Sequence, residues 1–125
     1  MIDPACVEHE ILDSGVDDYT GLWEIVWWLN GQFPGASPDE RLDAARRGVG
    51  ELLRRGWIEL YRGDRFAGDE PQDVATDIDA IFSDPAAWDA PRQEDKTHIR
   101  FAATDEGERA YFSTPRVESP APTQQ

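Results

Sequence analysis

Glu51-Leu52-Leu53-Arg54-Arg55-Gly56-Trp57-Ile58-Glu59-Leu60-Tyr61 is the stretch whose reading decides the fold. A helical pattern stops at Gly56, and an alternating pattern begins on the next residue. Glycine is the natural end of a helix because it enters the left-handed region without a Cβ penalty. Beyond it, Trp57, Glu59 and Tyr61 fall on one side of a strand and Ile58 and Leu60 on the other. Gly63-Asp64 ends that strand after Arg62.

Upstream, Ser37-Pro38-Asp39-Glu40 reads as a capping box with proline at the first helical position. The helix it opens runs to Arg55. Leu42, Ala45, Val49, Leu52 and Leu53 form its apolar stripe, with Arg47, Glu51, Arg54 and Arg55 pointing away. Gly48 and Gly50 each cost about 1 kcal/mol relative to alanine, and read as a close helix contact or a kink.

Before this lies a second helix, Asp18–Asn30, with Asp17 or Asp18 as its N-cap. Leu22, Ile25, Val26 and Leu29 share one face, and Trp23, Trp27 and Trp28 cover much of the rest. A helix apolar nearly all round is central to a core or lies at an interface. In residues 1–17, Val7, Ile11 and Leu12 suggest a short helix after Pro4, with Asp13-Ser14-Gly15 as a break.

Downstream, residues 64–97 form an acidic insertion. Within it Pro71–Phe82 reads as a helix with Val74, Ile78, Ile81 and Phe82 on one face. His98–Ala102 reads as a second strand. Thr104-Asp105-Glu106 then caps a final helix carrying Ala110, Tyr111 and Phe112 inward. Residues 113–125, rich in Pro, Ser, Thr and Gln, read as a disordered tail. The fold class is α+β, with helices packed on a small antiparallel β-hairpin.

The order of these elements resembles a winged-helix domain over residues 18–112. Glu51–Tyr61 looks like the end of a recognition helix running into the first wing strand. Ile99–Tyr111 looks like the second wing strand followed by the Thr-x-x-Gly helix start, Thr104 to Gly107, of PadR- and MarR-type regulators. A winged helix has three helices before its wing. The third is then residues 5–13, or the capping-box helix breaks near Gly48-Gly50. The wing connection, at about 35 residues with a helix of its own, is longer than the family's usual loop.

The 125 residues carry 26 acidic and 12 basic side chains, a net charge of −14. Residues 1–40 hold nine acids and no base, whereas residues 41–65 hold seven arginines and four acids. Residues 66–97 return to nine acids against two bases. A uniformly acidic surface is repelled by phosphate, so only the middle segment could meet nucleic acid. No apolar run is long enough for a membrane span. No basic stretch precedes an apolar one at the start, so a cytoplasmic location is expected.

Three features are candidates for function. Under the resemblance, Arg47, Arg54 and Arg55, with Arg62, Arg65 and Arg100 on the wing, would read duplex DNA. The plainer reading is a solvated face, since Asp43–Arg47 and Glu51–Arg55 are both spaced i,i+4 with the acid first. Trp27 and Trp28 lie toward the Glu24 side, where exposed tryptophan makes an interface hot spot for a homodimer or another protein. Asp73, Asp77 and Asp79, with Asp69, Glu70 and Asp84, form a negative surface that suits a basic partner or simply confers solubility.

Cys6-x-x-His9 has ligand-like spacing but no second pair, the other histidine being His98. Nothing resembles a nucleophile elbow, a phosphate-binding loop or a metalloprotease helix. The sequence therefore calls for no metal, cofactor or catalytic residue. It points to a non-enzymatic protein binder, as an inhibitor, antitoxin or immunity-type protein for a basic partner. The alternative is a transcriptional regulator that binds DNA through helix 38–55.

Overall fold

The computed structural model describes residues 2–17, 19–64, 73–90 and 97–113. Helix α1 (Pro4–Asp17) leads through strand β1 (Thr20–Gly21) into α2 (Leu22–Gln32) and α3 (Pro38–Arg55). Strand β2 (Ile58–Asp64) follows, then β3 (Asp73–Val74), α4 (Ile78–Ser83) and a 3-10 turn over Pro85–Trp88. Strand β4 (Thr97–Ala103) and helix α5 (Asp105–Ser113) complete the chain's described elements. The architecture is α+β, and its sheet is larger than the expected hairpin: four antiparallel strands in the order β1-β4-β2-β3. Among the described residues, no helix is long and apolar enough to cross a membrane.

The β2–β4 hairpin pairs Leu60 with Phe101 and Ile58 with Ala103. This register turns Ile58, Leu60, Ile99 and Phe101 onto one face, where all four are buried. Against that face pack Val7, Ile11 and Leu12 of α1, Leu22, Ile25 and Leu29 of α2, and Ala45, Val49 and Leu52 of α3, as one cluster. Helix α3 follows the sequence closely. Ser37 Oγ accepts from the Glu40 amide at 3.1 Å, and Glu40 reaches back to the Ser37 amide at 3.2 Å. Gly56 ends the helix at φ 75°.

Helix α1 does not break at Gly15. It continues to Asp17. A Cβ on Gly15 would stand 3.1 Å from the Ala103 amide and 3.3 Å from the Phe101 ring, so the glycine lets the helix lie directly on β4. Gly48 does the same between helices: its Cβ would meet Ile11 Cδ1 at 2.7 Å and Val7 Cγ1 at 3.0 Å. α3 is unbroken there, so the third helix ahead of the hairpin is α1.

Other expectations are corrected. The second helix starts at Leu22, not Asp18, because Thr20 and Gly21 pair with Phe101 and Arg100 on β4. Its start is held by Glu24, whose Oε2 accepts from the Gly21 amide at 2.8 Å, not by Asp17; Asp18 lies outside the described residues. The insertion is not one helix over Pro71–Phe82: Asp73 and Val74 pair with Arg62 and Tyr61 as a strand, and only Ile78–Ser83 is helical. Strand pairing overrides a helix-like spacing there. Trp88 closes the segment, buried with its indole N–H donating to the Ile81 carbonyl at 3.2 Å. Phe112 points outward, not inward. Pro71, Gln72 and the tail from residue 114 lie outside the described residues.

The Thr-x-x-Gly start of α5 has a physical cause. The Thr104 hydroxyl donates to the Gly56 carbonyl at 2.7 Å and accepts from the Gly107 amide at 3.0 Å. The Thr104 amide donates to the Trp57 carbonyl at 2.9 Å. A Cβ on Gly107 would overlap that carbonyl oxygen. The motif therefore locks α5 onto the junction between α3 and β2.

Candidate functional site

The arginine face of α3 is self-neutralised. Arg47 pairs with Asp43 at 2.8 Å, and Arg54 and Arg55 both pair with Glu51, at 2.5 and 2.7 Å. Arg55 also reaches Glu8 of α1 at 3.4 Å and lies over the Trp57 ring, 5.0 Å from its centroid. Hydrogen bonds from Arg54 and then Arg55 pull the Glu51 carboxyl from its ordinary 4.5 down to about 2. Arg47 and Arg54 remain largely solvent-exposed, 79% and 71%.

The two strand arginines, Arg62 and Arg100, do not share a face. Arg62 stands opposite Ile99 and Arg100 opposite Tyr61, so the alternation of the sheet sends them to opposite faces. Arg62 pairs with Asp77 at 2.5 Å, and Arg100 Nε donates to His98 Nε2 at 2.9 Å. Arg65, Asp69 and Glu70 lie outside the described residues. Of the insertion acids, Asp73 sits on β3 opposite Arg62, Asp77 is ion-paired to Arg62, and Asp79 is exposed on α4.

The tryptophans separate. Trp28 is half-buried, its ring edge-on to Phe33 at 6.2 Å. Trp27 is 71% exposed, tilted against Trp23 at 6.4 Å.

Trp27 borders a concave pocket of about 470 Å³ that the sequence reading did not anticipate. Helix α1 supplies Glu10, Asp13, Ser14 and Asp17 to it. Tyr19 and Thr20 also line it, and α2 adds Glu24 and Ile25. Positions 10, 13 and 17 are spaced i, i+3, i+7 and fall on one side of a helix. That spacing was the available signal. A break at residues 13–15 hides it; a helix running to Asp17 reveals it.

The pocket carboxylates differ from those beside the arginines. Glu10 accepts from the Ser14 hydroxyl at 3.2 Å, Asp13 from the Tyr111 hydroxyl, and Glu24 from the Gly21 amide. Among the described residues none of Glu10, Asp13, Asp17 and Glu24 has a cationic partner. Tyr19 packs edge-on against Tyr61 at 5.2 Å, beside the pocket. Burial first, and then the hydrogen bond to Glu59, push the Tyr61 hydroxyl up to about 12, so it remains a neutral donor. Cys6 is exposed and His9 stacks on Tyr111 at 5.9 Å. Among the described residues no three His, Cys, Asp or Glu side chains are placed to share a metal ion.

No family model, no curated protein and no solved structure matches the chain.

Proposed function

We propose that this chain is a non-enzymatic acidic binding protein of winged-helix type whose partner is a basic protein, acting as an inhibitor, antitoxin or immunity-type protein. The observation that carries this reading is the unequal pairing of charge. Arg47, Arg54 and Arg55 are each held by an acid, whereas the carboxylates around Trp27 have no cationic partner among the described residues. Unpaired charge is what a distant partner feels, and it speeds encounter with the opposite sign. An exposed tryptophan beside that charge gives the encounter an apolar contact.

The winged-helix part of the reading is supported by the order of elements. Three helices precede the paired strands β2 and β4 of the four-stranded sheet, and the last of them ends at Gly56 and enters β2 directly. A helix and a wing can serve protein recognition as well as DNA, so the fold alone does not choose.

The second reading, a DNA-binding regulator, is favoured by one observation: Arg47 and Arg54 stand well out on α3. Fluorescence anisotropy with mixed-sequence duplex DNA, at low and near-physiological salt, decides between the two. No binding at either salt is the expected result. Salt-sensitive binding would overturn the protein-binding reading, because it would mean that α3 overcomes a field of −14.

A further inference from the structure

The Trp27 pocket combines three properties. It is concave and, at about 470 Å³, within the range of sites that enclose a ligand group. It is bordered by an exposed tryptophan, a ring type that attracts cations through the negative charge above its face. Among the described residues its four carboxylates have no cationic partner.

The geometry also narrows the occupant. The carboxylates line the pocket without converging on a point, and no three of them could share a metal ion. They come from two helices, Glu10, Asp13 and Asp17 on α1 and Glu24 on α2, so a group that meets both walls must be extended. A guanidinium fits this demand best. It is planar, stacks on an aromatic face, and presents five donors that can serve several carboxylates at once. An ammonium is a compact, strongly hydrated point charge and uses the indole less well.

We infer that this pocket receives an arginine side chain of the basic partner protein, stacked on Trp27 and hydrogen-bonded to the carboxylates of α1 and α2. The inference rests on the protein-binding reading above and names the place where that binding occurs. Acidic residues of the insertion, Asp73 and Asp79, then contribute only to long-range attraction.

The test is an NMR titration of the full chain with a short acetylated and amidated peptide, Gly-Ser-Arg-Ser-Gly. The same peptide with lysine in place of arginine, and spermidine, serve as controls. Affinity on the order of 1 mM is expected for one side chain. Shifts should be confined to the Trp27 indole N–H and the amides of residues 10–27. Trp27→Ala should weaken binding by about 2- to 30-fold, and Asp17→Asn should weaken it as well. Both residues are exposed, so both variants should fold.

Three results would overturn the inference: shifts spread evenly over the acidic surface, an affinity indifferent to Trp27, or spermidine binding the pocket more tightly than the peptide. The last would make a free polyamine the occupant. Failure here is separable from failure of the functional reading. DNA binding removes that reading whatever the peptide does, whereas a peptide that misses the pocket, with no DNA binding, removes only the pocket.

Discussion

The arginine face of α3 and the pocket beside α2 carry opposite signs of charge, and they differ more in how that charge is paired. On α3 the acids are built into the same helix at i,i+3 and i,i+4, so Glu51 serves Arg54 and Arg55 locally. In the pocket, Glu10, Asp13 and Asp17 repeat like charge along α1, and no base is folded against them among the described residues. Like charges at such spacing destabilise a helix, so the sequence carries a local conflict there that the Glu51 pairs of α3 do not have. Local conflicts of this kind concentrate where a protein meets something else. Net charge alone would have drawn attention to the insertion. Pairing draws it to α1 and α2.

The largest effects should come from the two tryptophans that separate scaffold from surface. Trp88 is 2% exposed and its indole is hydrogen-bonded, so Trp88→Ala should cost about 3–5 kcal/mol of stability. Trp27→Ala should change stability by no more than about 0.5 kcal/mol while removing the face of the pocket. Urea denaturation of both variants measures the contrast. A large loss of stability in Trp27→Ala would make that residue part of the core and erase the distinction.

Next is the joint beneath the arginine face. A methyl on Gly107 must push the Trp57 carbonyl away from Thr104, so Gly107→Ala should cost on the order of 3 kcal/mol by the same measurement. Among the described residues α5 reaches the Trp27 pocket through the Tyr111 hydroxyl on Asp13, so the pocket should keep most of its peptide response as long as the variant is folded. A pocket that fails together with this joint would show the two regions to be coupled.

How much of this could be read in advance depends on whether local and tertiary signals agree. They agree in α3, where Ser37, Pro38, Glu40 and Gly56 each act as their types suggest. They agree in β2 and β4, whose alternation matches the buried face. Gly15 has no local signal that separates a helix break from a helix pressed against a strand; only β4 decides it. Val74, Ile78, Ile81 and Phe82 have helical spacing, but pairing of Val74 with Tyr61 takes the first of them out of any helix. Trp88 finds its hydrogen bond seven residues back, after a turn that local preferences do not specify. The pocket was missed for the Gly15 reason: once α1 is allowed to reach Asp17, its acids fall on one side.

A smaller effect would sharpen the account of α3. Glu51→Gln removes the acid shared by Arg54 and Arg55 and leaves their charge uncompensated. Duplex DNA binding should then appear at low salt and be lost as the salt is raised. If the variant binds DNA no better than the wild type, the pairing is not what silences the face, and the overall field is the stronger cause.

The smallest expected effect is in the acid limb of stability, and its sign follows from Glu51. Its carboxyl is held at about 2 in the folded chain against an ordinary 4.5, because Arg54 and Arg55 bind its charged form. A depressed carboxyl contributes stability that is fully present above pH 4.5. That contribution falls as the pH drops from 4.5 toward 2, where the folded state must also take up the proton. Glu51→Gln has no such group. The thermal midpoint of the wild type should therefore exceed that of the variant at pH 6, and the gap should close between pH 4.5 and 2. Salt should shrink the gap at pH 6, since the pair is at the surface. A gap that stays constant down to pH 2 would mean that Glu51 acts through packing, and the contrast between a paired helix and an unpaired pocket would lose its electrostatic basis.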